Sequence, residues 1–327
     1  MHRSRRFLPL ALAGLALGGA VAACGDDGPG PPPPPEAPPA PPAPPAPPTP
    51  PAPPGGPTAG FSTEYFEVPV DGAVRLTAAL DLALGQVTTA PAEDGYLFQA
   101  EVSIPTGTRG RAALRPRFSN SRDGDEARVS LRLDDATVSP RGVERNEGAR
   151  WRVYLPAATP TDLTLSLGAA QADVDLTGIP VRRLRLDCGL AQATLRFRSL
   201  NPVEMEDAVI SAGLAEFRAT GLANARFRTL RFEGGAGRFA LDFTGDGSLD
   251  GSRADVQVGV ADVDLTLPSG RAIIVEAPTG PFVSVGLPPS YVRRGSAWAS
   301  PEAADSETPF RVRIRSGPGR VQVRLAE

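Results

Sequence analysis

The sequence has no lysine, one histidine at position 2 and only two cysteines, Cys24 and Cys188. Without a histidine beyond His2, a Ser-His-Asp triad, a Cys-His dyad and a histidine-ligated metal site are excluded. The absence of lysine excludes Schiff-base and P-loop chemistry. Two cysteines are too few for a disulfide scaffold. Any function of this chain must therefore use arginine, carboxylate, hydroxyl, amide and apolar side chains.

The N-terminus has the features of an export signal. Three arginines within the first six residues precede an apolar stretch over 7–23 that ends in small residues, which is the pattern of a secretory signal peptide. The last four residues, Val21-Ala22-Ala23-Cys24, resemble a bacterial lipobox. This resemblance implies a lipoprotein signal peptide over 1–23 and a lipidated Cys24, with an ordinary signal peptide or an uncleaved anchor as the alternative. The protein would then be extracytoplasmic and lipid-anchored in a bacterial cell envelope, and Gly25 favours the outer membrane if the host has one.

A proline-rich segment follows the cysteine. Nineteen of the 37 prolines lie between Pro29 and Pro57, and such density favours polyproline II and prevents a packed core. We expect residues 24–58 to form a disordered tether, with a PxxP ligand for a partner domain as the alternative. Without residues 1–23 the chain has 31 arginines and 37 acidic residues, and this acidic balance does not indicate a nucleic-acid binder.

Five segments of the remaining chain align without gaps around a glycine. The glycines are 21, 24, 22 and 24 residues apart, and a fixed period in this range is typical of a solenoid. Apolar residues alternate with other residues on both sides of each glycine, which predicts strands. The aligned glycines are Gly168, Gly189, Gly213, Gly235 and Gly259.

The alternation shifts by one residue at each of these glycines. In the first unit, apolar residues lie one, three and five positions before Gly168, but two, four, six and eight positions after it. Because a one-residue shift turns side chains to the opposite face of a straight strand, the chain must bend there if both segments face one interior. Glycine suits such a corner, since it tolerates backbone angles that other residues avoid. In the outward columns after the glycine, no like charges fall on adjacent units, as stacked strands favour.

Two more units fit the pattern, around Gly317 near the C-terminus and around Gly85 before the central repeats. Residues 90–160 contain strand-like runs that would cap the N-terminal end of the stack, because an open solenoid end exposes a strand edge. Residues 286–308 contain three prolines and are predicted to be a loop insertion. The predicted domains are an N-terminal β region with the first coil and cap over 59–160, and a β-helical repeat domain over 161–327.

The run from Trp151 to Leu155, followed by LTLSLGAAQADVDLTGIPVRRLRLDCGLAQATL, resembles the bacterial toast-rack group. This group includes the extracytoplasmic domain of LiaF-type cell-envelope stress proteins and related putative-adhesin domains. The resemblance implies an all-β fold, namely a single-stranded, right-handed parallel β-helix or solenoid, here with coils of 21–24 residues. It also implies an envelope-associated role without catalysis. LiaF-type proteins differ from this chain in carrying N-terminal membrane helices.

Two features invite a chemical interpretation. Cys188 precedes its glycine at an inward position, which predicts a small buried apolar side chain rather than a reactive thiol. The acidic loop with Asp242, Asp246 and Asp250 offers oxygen atoms that suit Ca²⁺, but it lacks EF-hand spacing, and aspartate is also common in turns. We therefore expect no cofactor and no metal, with these three aspartates as the weak alternative.

Charged residues on the strands can be interpreted either as a functional site or as a solvated strand face. Pairs such as Asp173 with Asp175 have the i, i+2 spacing of an outward strand face, although some parallel β-helices cleave polysaccharides with Asp and Arg. Eight arginines form either a basic strip for anionic glycan, teichoic acid or lipid head groups or, as we favour, a solvated face that pairs with aspartates of neighbouring coils. These arginines are Arg182, Arg183, Arg185, Arg196, Arg198, Arg226, Arg228 and Arg231.

The sequence as a whole predicts a non-enzymatic envelope lipoprotein with an adhesin-like binding or scaffolding domain. Its expected partners are the membrane, through the lipid anchor, and an envelope glycan or a surface protein. The alternatives are a polysaccharide-degrading β-helix enzyme and an accessory of the cell-envelope stress response.

Overall fold

The computed structural model describes residues 60–106, 115–133, 148–278, 280 and 282–326. Seventeen strands join in one sheet, and the helical segments in these ranges are two 3-10 turns, Leu222–Ala225 and Pro301–Ala304. The predicted all-β class is confirmed. No helix in the described ranges is both long enough and apolar enough to cross a membrane. The strands are β1 (Phe61–Pro69), β2 (Arg75–Pro91), β3 (Tyr96–Pro105), β4 (Pro116–Asp123), β5 (Glu126–Leu133), β6 (Arg150–Leu155), β7 (Thr161–Asp175), β8 (Val181–Arg196), β9 (Met205–Thr220), β10 (Phe227–Asp242), β11 (Arg253–Leu267), β12 (Ile273–Glu276), β13 (Val283–Gly286), β14 (Val292–Arg294), β15 (Ala297–Ala299), β16 (Phe310–Ser316) and β17 (Gly319–Leu325).

The long strands form a stack of parallel neighbours. Strand β7 pairs in parallel with β8, β8 with β9, β9 with β10 and β10 with β11. In one inward column Leu165 lies beside Leu186, followed by Ile210, Phe232 and Val256. Each pairing offset equals the spacing between the aligned glycines, so the sequence repeat is also the pairing register. This arrangement is typical of a β-solenoid.

The side-chain alternation shifts at the corner glycines as expected. In β7 the buried apolar residues are Leu163, Leu165 and Leu167 before Gly168, and Ala170, Ala172 and Val174 after it. The strand register skips the glycine, because Leu167 pairs with Cys188 and Ala169 pairs with Leu190. Both segments of each strand therefore bury their apolar side chains in one interior.

Close approach between layers, rather than unusual backbone angles, explains the glycines at these corners. None of Gly168, Gly189, Gly213, Gly235, Gly259 and Gly317 has a φ in the left-handed region, so the expectation about backbone angles was wrong. A Cβ on any of the last three would instead lie 2.6 Å from the carbonyl oxygen of the corner glycine one layer below. The same distance is 3.0 Å at Gly189 and Gly213. A side chain at this column would collide with the neighbouring backbone.

The early unit has a different register from the predicted one. Leu82 pairs with Leu167 and Leu84 with Ala169, so Ala83, and not Gly85, occupies the corner column in β2. Gly85 lies two positions further on and has a φ of 112°, and a Cβ there would lie 1.8 Å from the carbonyl oxygen of Ala149. Placement of Gly85 at a corner was therefore wrong by two residues.

Both ends of the stack are closed by segments from the interior of the chain. At one end β2 lies between β7 on one side and β5 and β6 on the other. At the other end β16 lies between β11 and β12, and β17 lies between β11 and β13. The C-terminal unit is thus enclosed and does not form the last layer.

The region predicted as a loop insertion is partly strand. Residues 286–308 contain β14, β15 and a 3-10 turn, and β15 pairs antiparallel with β12. At the N-terminal end, the strand-like runs within 90–160 fall in β3, β5 and β6. Antiparallel pairs of β1 with β3 and of β4 with β5 extend that end.

The core compensates for side-chain size across the corner. In β8 the two inward positions that flank the corner hold Cys188 and the small Ala193. The equivalent positions of β10 hold Gly234 and Phe239. Gly234 leaves room for Phe239, whose ring would lie 2.5 Å from a Cβ on that glycine. The ring of Phe239 contacts Phe232 at a centroid distance of 5.2 Å. The two inward positions that flank the corner therefore share one volume, as close packing requires.

Candidate functional site

The stack presents two strand faces to solvent. We call the outward side chains before the corner the leading face and those after it the trailing face. On β10, for example, the leading face carries Thr229, Arg231 and Glu233, and the trailing face carries Arg238, Ala240 and Asp242. Because the stacked strands lie about 4.8 Å apart, each face is a regular grid of side chains from successive layers.

The leading face is charge-balanced across β7, β8 and β9. Arg182 donates two hydrogen bonds to Asp162, at 3.0 and 2.7 Å, and this contact raises the pKa of Arg182. Arg183 pairs with Glu206, and Arg185 pairs with Asp187 at 2.9 Å. The predicted cross-coil pairing of arginine with carboxylates is present here.

The same face carries an excess of arginine across β10, β11 and β16. We call Arg231, Arg253, Arg311, Arg313 and Arg315 the arginine patch; all five side chains are exposed. Arg253 lies directly beside Arg311 in the parallel register. Like charges on adjacent strands therefore occur in a leading-face column, in contrast to the trailing-face columns.

Two carboxylates form ion pairs with arginines of the patch. Glu276 accepts a hydrogen bond from Arg313 at 2.7 Å, which raises the pKa of Arg313 and lowers the pKa of Glu276. Asp255 lies 4.0 Å from Arg315. Within the described part of the chain, Arg231, Arg253 and Arg311 form no ion pair, although Asp255 is the register neighbour of Arg231 and the charge of Arg311 contributes to the lowered pKa of Glu276.

The trailing face pairs its acids with arginine. Asp173 contacts Arg196 at 2.7 Å and Asp175 contacts Arg198 at 3.3 Å, while Asp264 lies 3.5 Å from Arg324. Asp173 and Asp175, like Asp262 and Asp264, are outward residues of a single strand. This geometry is that of a solvated strand face, and it lacks the facing pair of carboxylates that glycoside hydrolysis requires.

An exposed apolar column runs along the corner between the two faces. It consists of the residue that follows each corner position, and sequence reasoning missed it. Leu190, Leu214 and Val260 are 61%, 62% and 62% exposed. The signal is in the sequence, because an apolar residue follows every aligned glycine. The apolar column comprises Leu84, Ala169, Leu190, Leu214, Ala236 and Val260.

The predicted calcium loop does not gather its carboxylates. Asp242 accepts a hydrogen bond from the backbone N–H of Thr244, and the backbone of Asp250 is bonded to Ser248. The backbone N–H of Asp246 donates to the buried Asn224 side chain. Across the described ranges, no group of three or more histidine, cysteine or acidic side chains is placed to hold a metal ion. The acidic loop is thus a sequence of turns.

Cys188 lies inside the stack, 4% exposed. Burial, with a smaller contribution from the charge of Asp187, raises the pKa of its thiol to about 12. A thiol with so high a pKa is not a nucleophile near neutral pH. Cys24, the predicted lipidation site, lies outside the described residues.

An open depression of about 430 Å³ lies near the C-terminal end. Its lining is mainly apolar, with Arg324 as the charged member and no carboxylate among the lining residues, so it does not offer acid–base chemistry. The lining residues are Leu287, Pro288, Pro289, Ser290, Gln322, Val323, Arg324 and Leu325.

Comparisons with known proteins identify the family. Residues 58–220 match the model of the N-terminal domain of toast_rack, DUF2154, and no curated protein matches the chain. Among solved structures, the chain is similar to a putative cell adhesion protein from Clostridium sporogenes, with 15% identity, 81% of this chain and 100% of that chain covered, and a TM-score of 0.42. It is also similar to a putative adhesin from Bacteroides fragilis, with 10% identity, 81% and 97% covered, and a TM-score of 0.34.

Both TM-scores lie below 0.5, so the family assignment depends on the sequence match. The matched segment ends at the last residue of β9. The stack continues past this point, because β10 pairs with β9 over its full length. The chain belongs to the toast-rack domain group.

Proposed function

We propose that this protein is a non-enzymatic, extracytoplasmic lipoprotein whose toast-rack domain binds an envelope component. The observation that carries the proposal is the pair of broad strand faces, which present regular arrays of exposed charged side chains. Such faces suit adhesion to an extended ligand, because an extended ligand can contact several layers of the stack at once. The adhesin names of the structurally similar proteins agree with this role.

The export signal supports the envelope location. The lipobox-like Val21-Ala22-Ala23-Cys24 would supply the anchor, and the proline-rich residues 24–58 would hold the domain away from the membrane. We further propose that the stack is a right-handed solenoid with coils of 21–24 residues; the pairing offsets between β7 and β11 support this coil length.

Co-sedimentation tests the binding role. The mature chain (residues 24–327) carrying Cys24→Ser, which cannot be acylated, is mixed with isolated envelope fractions, and bound protein is measured against concentration. Saturable binding is expected. Failure to bind at micromolar protein would contradict the proposed function.

Acyl labelling tests the anchor separately. Expression with a labelled fatty acid should label the wild-type chain, and Cys24→Ser should abolish the label. Label that persists in the variant would refute anchoring at Cys24. Cys188→Ser is the matched control and should retain the label, since its thiol is buried.

A further inference from the structure

The arginine patch is an unfavourable arrangement for the folded protein alone. Arg253 and Arg311 are register neighbours on adjacent strands, where like charges destabilise a sheet. Elsewhere on the same face such repulsion is avoided, because arginines pair with acids of the neighbouring layer across β7, β8 and β9. A carboxylate at the register position beside Arg253 or Arg311 would relieve the repulsion, but among the described residues their other register neighbours are Thr229 and Ile274.

The local acids neutralise only part of the patch, because Asp255 and Glu276 face five guanidinium groups. Glu276 is hydrogen-bonded to Arg313, and Asp255 lies near Arg315 and beside Arg231 in the register. Arg231, Arg253 and Arg311 therefore keep their full donor capacity, five N–H groups on each guanidinium. Planar guanidinium groups hydrogen-bond carboxylate and phosphate in bidentate fashion.

We propose that the arginine patch binds a linear anionic polymer, with uronate carboxylates or phosphodiester groups as its charges. The inference rests on the proposed function and names its ligand class. Arg253 and Arg311 lie one strand spacing apart, about 4.8 Å, and Arg231 lies one strand further and one outward position along. A polymer that crosses β10, β11 and β16 would place successive anionic groups against these three side chains.

The surroundings of the patch favour a narrow ligand over a membrane surface. The leading face is charge-balanced across β7, β8 and β9, and Glu233 and Glu276 lie beside the patch itself. A planar anionic bilayer would bring its charge against these acids, whereas a single polymer strand can follow the arginines. The full chain is also acidic, with a formal net charge of −3.

The test uses two polymers and two matched triple variants of the mature chain (residues 24–327) with Cys24→Ser. Polygalacturonate and polyphosphate are the probes, and vesicles containing anionic lipid form a third arm. Arg231→Gln/Arg253→Gln/Arg311→Gln removes the guanidinium groups of the patch that form no ion pair. Arg183→Gln/Arg185→Gln/Arg228→Gln removes the same number of arginines that are each paired with a carboxylate.

We expect the parent protein to bind at least one polymer, and more weakly as salt rises from about 50 to about 200 mM. The patch variant should bind at least about tenfold more weakly, and the control variant within about twofold of the parent. Which polymer binds distinguishes carboxylate from phosphate. Equal losses in both variants, binding to neither polymer, or binding to vesicles alone would overturn the proposal. Circular dichroism of both variants verifies folding.

The same variants separate this inference from the proposed function. If the parent and the patch variant sediment equally with envelope fractions, the domain is a binding module and the arginine patch is not its site. If the parent binds the polymers but not the envelope fractions, the patch is an anion site and the proposed envelope role fails.

Discussion

The two halves of the stack differ in how the leading face arranges its charged side chains. In β7, β8 and β9 the leading face pairs its charges, as in the contact of Arg182 with Asp162. In β10, β11 and β16 it collects arginines, two of them side by side. The comparison leads us to expect that the charges of the leading face stabilise the first half more than the second, where adjacent like charges oppose folding.

The corners differ along the stack as well. A Cβ at Gly189 or Gly213 would lie 3.0 Å from the oxygen of the layer below, whereas at Gly235, Gly259 and Gly317 it would lie 2.6 Å away, and at Gly168 it would lie 2.4 Å from the carbonyl oxygen of Ala83. The corners of β8 and β9 are therefore more tolerant of added volume than the corners before and after them.

The largest expected effect is the loss of stability when a corner glycine is replaced by alanine. Gly259→Ala should lower the free energy of unfolding by about 3 kcal/mol, because the new methyl group must displace backbone. Gly213→Ala should cost only about 1 kcal/mol, since a shift of a few tenths of an ångström relieves its contact. Urea unfolding of both variants measures the difference. Equal losses would show that the corners at Gly213 and Gly259 do not differ in packing.

The next largest effect on stability is expected when an acidic side chain that pairs with arginine is replaced. Asp162 accepts two hydrogen bonds from Arg182, and both side chains are about four-fifths buried. Asp162→Asn should therefore destabilise the protein by about 1–2 kcal/mol, measured by thermal unfolding. Asp207→Asn, on the same face but exposed, is the control and should change stability by less than about 0.5 kcal/mol. A larger loss for the control would contradict the account of the first half.

The arginine patch should respond to pH through Glu276. Its pKa is lowered by the hydrogen bond from Arg313, so the contact stabilises the fold above the unfolded pKa and is lost as pH falls through the folded pKa. Protonation also frees Arg313 and removes a negative charge. Affinity for polyphosphate should therefore rise two- to threefold between about pH 5 and about pH 3.

Glu276→Gln isolates that group. The variant should bind polyphosphate about two- to threefold more tightly at pH 7 and show a flatter pH dependence, because its amide carries no charge at either pH. Fluorescence anisotropy of labelled polymer measures both effects. An unchanged pH profile would exclude Glu276 as the controlling group.

The smallest effect concerns stability without ligand. Arg311→Gln removes one of two adjacent like charges, so it should leave the melting temperature unchanged or raise stability by about 0.2–0.5 kcal/mol. Arg182→Gln in the paired half should lower stability. A clear loss on removal of Arg311 would show that this guanidinium has a structural role.

Most of the stack could be predicted because its information is local and periodic. The glycine spacing and the one-residue shift in alternation gave the strands, the corners and the register from β7 to β11. The short strands β12 and β13 lack the corner glycine and the full alternation of the repeat, so their place outside β16 and β17 could not be predicted. It depends on pairing between distant segments.

The candidate site was missed for a related reason. The prediction of favourable charge columns covered only the positions after each glycine, whereas the adjacent like charges of Arg253 and Arg311 lie on the leading face, before the glycine. They are adjacent because β16 pairs with β11 although four short strands lie between them in the sequence. The alternating arginines of Phe310–Ser316 are visible in the sequence, but the position of Arg311 beside Arg253 is visible only in the structure.

Hydrogen–deuterium exchange of the mature chain, with and without the polymer that binds, tests the central claim most directly. The account predicts slower exchange in Arg253–Val258 of β11 and in Phe310–Ser316 of β16, with β7 and β8 unchanged. Protection centred on β7 and β8, or none on β11 and β16, would contradict it.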